Sequence, residues 1–153
     1  SQNSFKIYIK QVIANAKVLA QTLSSLGYDI VTGGTDTHLF LVSLKGKPYS
    51  GKDLENYLES ASITLNKNTV PGDERSPFIT SGLRIGTAAV TTRGMKEEHM
   101  RQIAHWIDQL IQSWPCEQKA LAISQKVHSF CEDFPIVNTK DSYEMPVLPE
   151  ESN

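Results

Sequence analysis

Between Asn66 and Gly94 the chain runs NKNTVPGDERSPFITSGLRIGTAAVTTRG, dense in turn residues and nearly free of helix pattern. Both flanks repeat apolar residues at helical spacing. Near the end of the stretch, the alternation in GLRIG predicts a strand from Gly82 to Gly86. Leu83 and Ile85 share one face of it and Arg84 points the other way. A strand with one apolar face needs helices packed on that face, so strand and flanks belong to one layered domain.

Upstream, Phe5, Ile9, Val12, Ile13, Ala16, Leu19, Ala20, Leu23 and Leu26 predict a helix with a wide apolar stripe. Its cap is expected at Asn3 or Ser4 and its stop at Gly27. Tyr28–Val31 and His38–Leu44, joined by the turn TGGTD, predict an antiparallel hairpin. The second of these strands is apolar on both faces and is expected to be central. Ser50 with Asp53 predicts a capping box opening a helix through Leu54, Tyr57, Leu58 and Ala61. Ile63 and Leu65 predict a third short strand. Met100, Ile103, Ala104, Ile107, Leu110, Ile111 and Trp114 predict a helix broken by Pro115. Ala120, Leu121, Ser124, Val127, Phe130, Cys131 and Phe134 predict a last one, ended by Pro135. The expected fold class is α/β, as an α+β two-layer sandwich: a small, mostly antiparallel sheet of three to four strands, with helices on one face. Residues 1–135 form that domain. Residues 136–153, with Pro146, Pro149 and four acids against one lysine, are expected to be an extended acidic tail.

Composition narrows the function. A chain of 153 residues has room for one domain with a real core. Its net charge of −2 gives no pull toward nucleic acid. No apolar run approaches the ~20 residues of a membrane span. Two cysteines, Cys116 and Cys131, make no disulfide framework and fit a reduced, cytoplasmic protein. The start, SQNSFKIYIK, has no initiator Met and no signal-peptide core, which leads to the expectation of a cut or trimmed product.

Arg84 is the first candidate for chemistry. Its planar fork suits a carboxylate, through two parallel charge-assisted hydrogen bonds. Gly82 and Gly86 flank it on its own face and are expected to leave room for a ligand. The same pattern fits an arginine standing in solvent on an uncovered sheet face. The preceding loop, NKNTVPGDERSPFITS, exceeds the ~12–15 residues beyond which structureless loops are uncommon. Pro71, Gly72 and Pro77 stiffen it, and Phe78 is expected to anchor it. Asn66 and Asn68 offer paired donors and acceptors of the kind that read a heterocycle edge, although turn chemistry accounts for the same residues.

Other patterns fall short. GKPYSGKD, from Gly46 to Asp53, mimics a phosphate-binding loop but carries Asp53 where a hydroxyl must meet Mg²⁺. His99 and His105, six apart on a helix, do not share a face, and His128 with Cys131 lacks further ligands, so no metal site is expected.

The run from Asn66 to Gly94, with VTGGTDTHLFLVSL and FKIYIKQVIANAKVLAQTL upstream, resembles the C-terminal region of serine hydroxymethyltransferase. The resemblance covers roughly Phe5 to Pro135, with the SPF, TSG and RIGT elements as its specific marks. It implies the C-terminal small domain of a fold-type I pyridoxal-phosphate enzyme. That enzyme is a homodimer or a dimer of dimers, and it interconverts serine plus tetrahydrofolate and glycine plus methylenetetrahydrofolate. By position, the resemblance implies that Arg84 holds the carboxylate of serine or glycine. It likewise implies that Asn68 contacts folate and that Ser76, Pro77 and Phe78 line the folate pocket. The chain departs from the pattern at Ala88, where the family usually has proline, and at Ser43, where it usually has aspartate. The tail beyond about Asn138 has no evident counterpart.

The Schiff-base lysine, the phosphate cradle and the aspartate facing the pyridine nitrogen belong to the family's large N-terminal domain. None of the 11 lysines here sits in a stretch like that domain's Thr-rich lysine motif. The resemblance therefore implies a piece with no catalytic residue of its own, inactive alone, with pyridoxal phosphate bound mainly elsewhere and tetrahydrofolate as co-substrate. Two other readings stay open: a free-standing module that binds an amino acid or folate without catalysis, and a purely structural domain.

Overall fold

Residues 1–31 and 38–135 are described by a computed structural model. The first helix, α1 (Gln2–Ser25), stops just before Gly27 as its pattern predicts. It starts earlier than expected. The cap is Ser1, whose hydroxyl accepts from the Ser4 N–H at 3.2 Å, and not Asn3 or Ser4. Its first turn is mostly polar, so apolar spacing carried no signal there.

β1 (Asp29–Ile30) and β2 (Leu39–Ser43) pair antiparallel, giving the expected hairpin. Its turn, TGGTD, lies outside the described residues. α2 (Gly51–Ser60) opens on the capping box: Asp53 N–H donates to the Ser50 hydroxyl at 3.1 Å, and Ser50 N–H to the Asp53 carboxylate at 2.9 Å. The third strand is displaced from its expected position. β3 is Asn66–Lys67, whereas Ile63 and Leu65 pack their side chains against the core without joining the ladder. Ser62 turns the chain at φ +68°, and the Ile63 N–H donates back to Leu58 O at 2.9 Å, so this segment still closes α2.

β4 (Gly82–Gly86) forms where predicted, and the sheet order is β1-β2-β4-β3, antiparallel throughout. β2 is thus an interior strand. A short helix, α3 (Ala88–Thr92), follows β4 within the stretch that shows no helical period. It is held from outside: the Thr87 hydroxyl donates to Val12 O at 2.7 Å, and the Asn15 amide donates to the Thr91 hydroxyl and to Met95 O at 2.9 Å each. α4 (Glu97–Ser113) and α5 (Glu117–Glu132) complete the described elements. Arg93 braces the end of α5 by donating to Phe134 O at 2.7 Å and to Cys131 O at 3.3 Å, the second a carbonyl that also accepts the Phe134 N–H at 3.0 Å. The two cysteines are free. Residues 136–153, read as a tail, lie outside the described residues.

The core forms where the pleat of β2 and β4 meets the helices. Phe40 pairs with Ile85 and Val42 with Leu83, and all four are buried. Leu54, Leu58, Met100, Ile107, Leu110 and Ile123 close over them. Leu58→Ala and Ile85→Ala should each lower the unfolding free energy by about 2–5 kcal/mol. Urea melts check this, and a loss well under about 1 kcal/mol would contradict the core assignment.

Candidate functional site

Arg84 stands on the face of β4 opposite Leu83 and Ile85, exposed, while those two are 1% exposed each. Its cross-strand neighbours are Leu41 on β2 and Asn66 on β3. Among the described residues its guanidinium has no hydrogen-bond or ion-pair partner. An arginine held in the middle of a sheet, with its donors unclaimed, can take an incoming anion without first breaking a bond.

The glycines beside it do something other than leave room. A Cβ on Gly82 would lie 2.4 Å from Val70 Cγ1 and 2.6 Å from Asn68 O; on Gly86 it would lie 2.7 Å from Leu39 Cδ2. That space is filled by the chain itself, so the glycines admit close packing rather than a ligand. Arg84 itself is exposed.

The loop from Asn68 to Ser81 is ordered by its own polar groups. Asn68 N–H donates to Gly82 O at 3.0 Å, which places Asn68 beside β4, while its side-chain amide turns back to Thr69 O at 2.8 Å. Asp73 accepts the N–H groups of Ser81 at 2.7 Å, Arg75 at 2.9 Å and Val70 at 3.4 Å. Arg75 crosses to the neighbouring loop and donates to Lys47 O at 2.7 Å and Tyr49 O at 3.1 Å. The loop then docks on α2: Gly51 and Lys52 donate their N–H groups to Thr80 O and Ile79 O at 3.0 Å each, satisfying donors a helix start leaves free. Gly51 makes this approach possible, since a Cβ there would lie 2.1 Å from Thr80 Oγ1 and 2.5 Å from Gly82 O.

Ser76, Pro77 and Phe78 form the outer turn of this loop and are exposed; Ser76 O accepts from Ile79 N and Thr80 N at 3.0 and 2.9 Å. Phe78 is 80% exposed and anchors nothing, contrary to expectation. The Asp73 and Arg75 bonds supply the order that Phe78 does not. Asn66, Asn68 and Arg84 are brought together along β4, and no hydrogen bond among the described residues joins Ser76–Phe78 to Arg84. A cleft of about 580 Å³ lies apart from these residues, among Tyr28, Lys45, Tyr49, Asp108 and Trp114. There burial and the Asp108 carboxylate, to which Tyr28 donates at 2.7 Å, push the Tyr28 hydroxyl pKa up.

A family model described as serine hydroxymethyltransferase matches residues 1–107 of the chain. The chain belongs to the serine hydroxymethyltransferase family. It is 50% identical over 140 residues to a serine hydroxymethyltransferase of Coxiella burnetii (strain Dugway 5J108-111), covering 92% of this chain and 33% of that protein. It is 48% identical over 134 residues to that of Acinetobacter baumannii (strain AYE), covering 88% of this chain and 32% of that protein. The chain spans about a third of the length of the curated relatives it matches.

Serine hydroxymethyltransferases imply pyridoxal phosphate, which requires a lysine able to present a neutral amine in an enclosed site. The described lysines do not fit that need. Apart from Lys67 they are all exposed, and Lys67 pairs with Glu55 at 3.5 Å. No helix among the described residues is long and apolar enough to cross a membrane.

Partial burial opposes ionisation of Asp73, but the N–H and hydroxyl of Ser81 and the N–H groups of Arg75 and Val70 outweigh it and lower its pKa to about 2. The unfolded value is near 3.8, so this carboxylate contributes stability above about pH 4 and loses it as pH falls toward 2. Urea midpoints from pH 5 to pH 2 should therefore converge for wild type and Asp73→Asn; a constant gap would contradict the Asp73 hub. In thermal melts, Gly82→Ala should unfold earlier than wild type, while Arg84→Ala should melt unchanged. A destabilised Arg84→Ala would refute its placement on the open face.

Proposed function

We propose that this chain is the C-terminal small domain of a pyridoxal-phosphate-dependent glycine hydroxymethyltransferase. In this reading it supplies one wall of a site whose remaining walls lie in protein outside the chain. The observation that carries the reading is Arg84, solvent-facing and without a partner among the described residues, on a sheet face that nothing in those residues encloses. A second observation agrees with it. The N-terminal half of α1 leaves Phe5 and Ile9 each 37% exposed, one turn apart on one face, and Ile7 67% exposed on the other side, apolar groups suited to packing against further protein.

In this role Arg84 grips the carboxylate of serine or glycine and so fixes the amino acid's orientation. Two charge-assisted hydrogen bonds to a planar anion define both position and plane. Asn68, Ser76, Pro77 and Phe78 face the folate co-substrate, with Phe78 offering a bare ring for a planar heterocycle to pack on. The cofactor and its lysine are supplied by the rest of the full-length protein, which acts as a homodimer. No step of the chemistry falls to a residue of this chain; its task is binding and orientation.

In the full-length protein, Arg84→Ala should lower kcat/KM for serine by about 2–4 kcal/mol, a factor on the order of 30–1,000, with an unchanged circular-dichroism spectrum. Undiminished kcat/KM would remove Arg84 from the site. The 153-residue chain alone should bind neither serine, glycine nor folate at micromolar concentration. It should also give no saturable absorbance band with pyridoxal phosphate. Micromolar binding of serine, glycine or folate would make the chain a binding module in its own right, and a saturable cofactor band would show that the lysine lies within it.

A further inference from the structure

Phe78 poses a question that the folate reading leaves open. An aromatic ring 80% exposed at the tip of a long loop should fold back onto apolar surface unless the backbone beneath it is held. Here it is held on every side. Asp73 ties the loop's first half to its last residue, because Val70 and Ser81 both donate to the same carboxylate oxygen and Arg75 donates to the other. Arg75 fixes the near side of the turn, one residue before Ser76, by reaching the carbonyls of Lys47 and Tyr49 and, at 3.4 Å, the Ser81 hydroxyl. The far side is fixed by the carbonyls of Ile79 and Thr80 on the first N–H groups of α2. Thr80 itself sits at φ +62°, a conformation that persists only where surrounding bonds impose it.

We propose that Asp73 and Arg75 are positioning residues for the Ser76–Phe78 turn, setting it in its ligand-receiving shape before the ligand arrives. The inference rests on the reading of that turn as folate-facing. Its physical content is preorganisation: a loop already ordered does not charge its ordering entropy against binding. Neither side chain touches the ligand. Arg75 is directed at carbonyls of the adjacent loop, and among the described residues the Asp73 carboxylate accepts only from groups of its own loop.

Steady-state kinetics of the full-length protein test this with tetrahydrofolate and serine varied separately. Arg75→Ala and Asp73→Asn should each raise the folate KM on the order of tenfold and leave the serine KM within about twofold. Arg75→Lys should recover part of the loss, since a single ammonium can reach one of the two carbonyls but not fork between them. Phe78→Ala serves as the separate check on the underlying reading and should raise the folate KM as well. If Phe78→Ala raises it and Arg75→Ala does not, the positioning role is wrong while the folate-facing turn stands. If Arg75→Ala raises both KM values equally and lowers the melting temperature, the role is merely structural and the proposal is overturned. If Phe78→Ala has no effect on folate, the folate reading fails and takes this inference with it.

Discussion

The antiparallel pairing of β2 with β4 is the contact on which the rest of this domain depends. Its register sets Phe40 against Ile85 and Val42 against Leu83 on the buried side, and Leu41 against Arg84 on the open side. A slip of one residue would turn Arg84 into the core and expose Leu83 and Ile85. The cost of burying an unpaired guanidinium beneath the helices forbids that slip, so core packing and the aim of Arg84 are fixed by a single register. The strand that organises the interior also presents the one charged group that its outer face offers.

Around that strand the chain crowds itself. Gly51 and Gly82 let loop and helix backbones approach closer than any side chain would permit, and the loop's carbonyls finish the start of α2. Asp73 and Arg75 then hold the loop by hydrogen bonds to backbone atoms, which have defined positions once the sheet and α2 have formed. The result is a rigid surface with an exposed arginine in its middle and an exposed phenylalanine at its rim, open rather than enclosed. Such a surface has the form that the proposed role, as one wall of a binding site, requires.

Much of this was legible in the residues. The facing of Leu83, Arg84 and Ile85 follows from a period of two, the capping box of α2 from Ser50 and Asp53, and the long helices from the apolar spacing that buries Met100, Ile107 and Leu110. What escaped was whatever depends on partners distant in sequence. α3 has no periodic signal because it is held by Thr87 bonding Val12, 75 residues away, and by Asn15. Ile63 and Leu65 look like a strand because buried connectors and strands share apolar composition. The glycines around Arg84 looked like space for a ligand because composition does not say whose atoms fill a gap. Phe78 looked like an anchor because an aromatic residue in a loop usually is one; that Asp73 and Arg75 order the loop instead is visible only in their hydrogen bonds.

The claim at the centre of this account is that Arg84 is one wall's contribution to a site completed by other protein. The arginine Nε–H resonances, followed by ¹⁵N-edited NMR as glycine is added, address it directly. In the full-length protein loaded with its cofactor, the Arg84 Nε–H signal should shift on saturation with glycine, while in the 153-residue chain it should stay where it is. An Arg84 signal that does not move in the glycine-saturated full-length protein would contradict the account.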